Sequence, residues 1–97
     1  MDAVNQEDRI DAASRILQAW GLGAEQRRQL LDQPEQAIVI ISIYESLQVM
    51  FSEDKERADA WPAKPNADFD GKPALDVMLA GDIKRVREYL KYHVYNS

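Results

Sequence analysis

The chain is 97 residues long, 45% hydrophobic, with a formal net charge of −5 and no cysteine. That is enough for one core and too little for two independent ones, so a single compact domain of modest intrinsic stability is expected. Lack of cysteine excludes disulfides, thiolate metal sites and cysteine nucleophiles, and the acidic balance opposes phosphate backbones unless a concentrated basic face offsets it.

The first residues carry Asp2, Glu7 and Asp8 where a secretory leader would carry bases. The longest apolar run, 37–43, falls far short of the roughly 20 residues a membrane span needs. A cytoplasmic chain is expected.

Ile10, Ala13, Leu17 and Trp20 recur at helical spacing, with Ile16 widening the stripe, which predicts a helix over 7–20 with Asn5 as its cap. Gly21 supplies a left-handed stop. A second short helix over 24–31 turns Leu30 and Leu31 inward and Glu25, Arg27 and Arg28 outward. Pro34 then announces a third helix, because a first-turn proline lacks only a donor that would be unpaired anyway.

That third segment, 35–51, begins with Ala37-Ile38-Val39-Ile40-Ile41-Ser42-Ile43-Tyr44, rich enough in β-branched residues to pass for a buried strand. Its length without a breaker favours a helix. Apolar residues on nearly every side of its first half make it the central helix, buried all round or sharing a dimer seam.

Ser52 caps a predicted fourth helix that stops before Pro62, and Glu53 and Asp54 suit its positive N-terminus. Residues 61–90, WPAKPNADFDGKPALDVMLAGDIKRVREYL, then make an irregular but ordered crossing through Pro65, Asn66, Phe69 and Gly71. Pro73 opens a short helix closed by Gly81, and Asp82 caps the last helix, whose inner face is Ile83, Val86, Leu90 and His93. The fold class is therefore all-α: one domain, 1–97, of five to six helices around a central apolar one. Its 7–51 part forms a helical platform and its 52–97 part a motif region.

Catalytic parts are scarce. His93 is the only histidine, so neither a histidine-pair metal site nor a serine-histidine-aspartate system with spare parts can be built. Asp68 and Asp70 flank Phe69 before Gly71 in the manner of a calcium loop, but a third ligand and the closing glutamate are missing. Gly21-Leu22-Gly23 lacks the strand and further glycines of a nucleotide loop. No cofactor and no metal are expected. Trp20 and Trp61 end apolar faces and read first as core, whereas Tyr89, Tyr92 and Tyr95 fit a partner contact as well as plain surface.

Trp61, Pro65-Asn66, Phe69, Gly71-Lys72, Leu75, Met78-Leu79, Gly81 and Val86-Arg87-Glu88-Tyr89-Leu90 stand in an order that resembles the C-terminal toxin-binding domain of the MbcA/ParS/Xre antitoxins. Ala19-Trp20-Gly21-Leu22, Leu30-Leu31 and Ile43-Tyr44-Glu45-Ser46-Leu47 are similar to that family's preceding helices. The resemblance implies a helical, often dimeric cytoplasmic antitoxin that is not an enzyme. It would neutralise a protein toxin, commonly a RES-domain enzyme that consumes NAD, by obstructing its active site. On this reading Trp61, Pro65, Asn66, Phe69 and Gly71 shape the docking loop, and Arg87, Tyr89, Lys91 and Tyr92 reach the toxin.

One departure stands out. Family members usually carry a helix-turn-helix, but here only Asp32 and Gln33 separate Leu31 from the helix announced by Pro34, too little for a turn and a recognition helix. With the acidic balance, this counts against binding to DNA. Two other readings remain open: a DNA-binding regulator using Arg27, Arg28 or the basic side of the last helix, and a helical adaptor for an unrelated protein.

Overall fold

The computed structural model describes residues 6–95. Six α-helices appear among them: α1 (Gln6–Ala19), α2 (Ala24–Leu30), α3 (Gln36–Met50), α4 (Lys55–Ala60), α5 (Ala74–Leu79) and α6 (Ile83–Tyr95). Between α4 and α5 the chain forms two short 3-10 turns and a two-stranded ribbon, β1 (Pro65–Asn66) and β2 (Lys72–Pro73). The expected cap Asn5 lies outside the described residues.

The run of β-branched residues is helical. A helix closes its own backbone hydrogen bonds, whereas a lone buried strand would need neighbours on both edges. α3 lies between α1 and α6 and buries Ala37, Val39, Ile40, Ile43 and Leu47. Against them pack Ala13 and Leu17 from α1 and Ile83, Val86 and Leu90 from α6. Burial of a side chain such as Ile40, Ile43 or Leu47, each fully inaccessible, contributes about 2 kcal/mol.

Glycines end helices where expected: Gly21 and Gly81 adopt φ of 98° and 100°, conformations costly for residues with a Cβ. Other boundaries differ. Asp54 rather than Ser52 caps α4, its Oδ1 accepting from the Arg57 amide at 3.1 Å. Pro34 sits in a turn ahead of α3, with the Gln36 amide donating to the Gln33 carbonyl at 2.9 Å. Leu30 is buried, whereas Leu31 is only half-buried. Gln29 ties the first helices to the later ones, its Nε2 donating to the Leu79 carbonyl at 2.8 Å.

Among the described residues no helix is long and apolar enough to cross a membrane. Leu47→Ala leaves a cavity under the C-terminal part of α3 and is expected to cost about 2–5 kcal/mol. In urea unfolding followed by circular dichroism, the midpoint should fall sharply while the slope is unchanged.

Candidate functional site

β1 and β2 pair antiparallel, Pro65 opposite Pro73 and Asn66 opposite Lys72. Two prolines facing each other have no amide to donate, so the ladder ends at that pair. The connection between the strands is fixed locally. Asn66 Oδ1 accepts from the Asp68 amide at 2.8 Å, starting the 3-10 turn Ala67–Phe69, and the Gly71 amide returns to the Asn66 carbonyl at 2.9 Å. Asp70 and Gly71 take φ of 60° and 81° in succession, which reverses the chain. A Cβ at Gly71 would meet nothing within 4 Å, so substitution there costs backbone strain, about 1–2 kcal/mol, and no clash.

The turn is anchored by Phe69, 2% exposed. Its ring centroid lies 4.9 Å from Tyr89 and 6.4 Å, edge-on, from Trp61, which itself stacks on Tyr89 at 6.1 Å. Such aromatic pairs contribute about 0.5–1.5 kcal/mol each beyond the area they bury. Arg85 covers the outer side, its guanidinium carbon 5.2 Å from the Phe69 centroid and its Nη2 donating to the Asp68 carbonyl at 3.3 Å. The Tyr89 hydroxyl donates to Asp68 Oδ2 at 2.7 Å and closes the ring of contacts. Burial pushes the Tyr89 hydroxyl above its ordinary pKa, and the Asp68 carboxylate adds to that, while a hydrogen bond with Asn66 partly offsets it.

From Tyr89 the aromatic surface continues along α6: His93 lies 4.3 Å from Tyr89 and 5.5 Å from Tyr92, which is 63% exposed. Trp61, Asn66, Phe69 and Tyr89 thus form one body, with Pro65 and Gly71 exposed at its edge and Tyr92 at its far end. Phe69 shapes this surface from beneath. Arg87 and Lys91 point elsewhere, because residues two apart on a helix are separated by about 200°. They line a groove with Ser42, Glu45 and Val49 of α3.

Sequence reading missed Arg85 and the structural part of Asp68. The four-residue interval from Arg85 to Tyr89 was the available signal, since it places both on one helix face. Among the described residues no three His, Cys, Asp or Glu side chains are placed to hold a metal ion. Rigid aromatic rings beside an arginine are the residue types that dominate protein–protein contacts.

Residues 46–93 match the antitoxin Xre/MbcA/ParS C-terminal toxin-binding domain. The uncharacterized protein y4oB of Sinorhizobium fredii (strain NBRC 101917 / NGR234) is 35% identical, over 92% of this chain and 86% of its own length. No solved structure gives a significant match.

Tyr89→Phe removes one partly exposed, charge-assisted hydrogen bond and should cost about 0.5–1 kcal/mol. The raised pKa adds a pH dependence: above the ordinary tyrosine value near 10 the unfolded chain loses a proton that the folded chain keeps. That part of the stability is complete below pH 10 and is lost as pH rises through the folded pKa. Denaturant titrations across alkaline pH should show a steeper decline for the wild type than for Tyr89→Phe.

Proposed function

Because the chain belongs to the Xre/MbcA/ParS antitoxin family, we propose that it neutralises its protein toxin by laying the hairpin and the adjoining face of α6 over the toxin's active site. The carrying observation is the clamped turn. Asp68, Tyr89 and Phe69 hold an otherwise two-residue ribbon in one conformation, so little ordering entropy remains to be lost on docking. The family match covers this whole unit, from the end of α3 through most of α6.

On this reading the chain acts by binding and is not itself an enzyme. Its toxin is a RES-type enzyme that consumes NAD, met in the cytoplasm, and the antitoxin works as a homodimer. The RES assignment rests on the family resemblance. Association of two copies is supported by an exposed aliphatic side chain on α3, Ile38. The helix after α2 is the core helix α3, with Ala37, Ile40 and Ile43 fully inaccessible, which counts against its serving as a DNA-recognition helix.

The test is co-expression with a toxin gene adjacent to the chain's own. The wild type should copurify with the toxin and restore growth. Tyr92→Ala, an exposed truncation at the end of the aromatic surface, should weaken the complex about tenfold, or 1.4 kcal/mol, while Glu25→Ala on α2 leaves it unchanged. Failure of the wild type either to copurify or to relieve toxicity would reject the antitoxin role.

A further inference from the structure

Among the described residues the large apolar side chains most open to water are Tyr95, Tyr92, Val49 and Ile38, which are 77%, 63%, 62% and 50% exposed. Three of them form one group. Val49 stands in the last turn of α3, Tyr92 and Tyr95 stand in the last turns of α6, and Val49 and Tyr95 line the same groove between those helices. Ile38 is set apart from them, about 16 Å before Val49 along α3.

Helical geometry places Tyr95 between the hairpin surface and that groove. It follows Tyr92 by three positions and Lys91 by four, so it borders both on the surface of α6. At about 100° per residue, Lys91, Tyr95, Tyr92 and Tyr89 succeed one another round the helix within an arc of about 160°. The aromatic surface that starts at Phe69 and Tyr89 therefore continues through Tyr92 and Tyr95 to Val49 in the groove.

We infer that the toxin wraps the C-terminal end of α6 and seats an apolar projection on Tyr95 and Val49, a second anchor beyond the hairpin. The inference rests on the docking reading above and extends its surface. A standard interface engages about 20–30 residues on each side. Residues 61–73, with Pro62 and Phe69 buried, and Arg85, Tyr89, Tyr92 and His93 of α6 fall short of that number. The part of the chain that matches a toxin-binding domain, residues 46–93, opens within α3 and takes in Val49, whereas Ile38 stands outside it.

The side chains at this end suit an apolar occupant. Tyr95 offers a broad ring governed by two torsions, and Val49 on a helix has one preferred rotamer, so little side-chain freedom is lost when either is covered. The charges along the groove are mixed in sign, Glu45 standing with Arg87 and Lys91, and they set no strong preference for a charged partner.

Biolayer interferometry of the full chain against the toxin encoded beside its own gene reads the anchor. Tyr95→Ala and Val49→Ser should each weaken the complex about tenfold while keeping the wild-type helical spectrum, because both side chains stand in water. Ile38→Ser, exposed on the same helix, should bind as the wild type does. If Tyr92→Ala weakens binding while Tyr95→Ala and Val49→Ser leave it at the wild-type value, the second anchor is refuted and the docking face stands. If all three bind as the wild type, both are refuted. A loss in Ile38→Ser equal to that in Val49→Ser would also overturn the anchor, since the toxin would then cover that side of α3 as a whole.

Discussion

Two strands of two residues each cannot hold a hairpin together in water, and here the pair of prolines removes even part of that ladder. The burial of Phe69 supplies what the strands lack. With its ring held under Tyr89 and beside Trp61, the turn from Ala67 to Gly71 has one place to sit, and Asp68 arrives within hydrogen-bond distance of the Tyr89 hydroxyl. The hairpin part of the proposed docking surface depends on that anchor. The surface is accordingly a feature of tertiary packing between the hairpin and α6, added to a turn that Asn66, Asp70 and Gly71 shape locally.

α6 is held in turn by α3, through Ile83, Val86 and Leu90. The same helix therefore serves both sides of the molecule. Its inner face joins the core, one flank carries Arg85, Tyr89 and Tyr92 towards the hairpin side, and another carries Arg87 and Lys91 towards α3. α3 is likewise apolar beyond what its own core needs. Ala37, Ile40 and Ile43 are fully inaccessible, whereas Ile38 and Val49 remain in water. A helix hydrophobic nearly all round in so short a chain has surplus apolar surface, and protein partners are the proposed means of covering it.

Helix identities were legible because their signals are local: glycines at 21 and 81 where φ is positive, prolines near helix starts, and apolar residues at intervals of three and four. The ribbon was not legible. Strands of two residues show no alternation, and Pro65 read as part of an irregular crossing and Pro73 as a helix start although they face each other across the ribbon. Ser52 and Asp54 are both good caps, and only the geometry after Phe51 selects Asp54. At the site, sequence order grouped Arg87 with Tyr89, and helical geometry separates them. Arg85 read only as one of the basic residues of the last helix, because its partners, the Phe69 ring and the Asp68 carbonyl, are more than fifteen residues away in the chain.

The central claim is that the hairpin and the adjoining face of α6 receive the toxin. Backbone amide shifts of the isotope-labelled chain, mapped before and after toxin is added, test it most directly. The account predicts that the large changes fall on residues 61–73 and on the Arg85, Tyr89 and Tyr92 side of α6, with α1 and α2 left as they were. Changes concentrated on α1 and α2, with the hairpin amides unmoved, would contradict it.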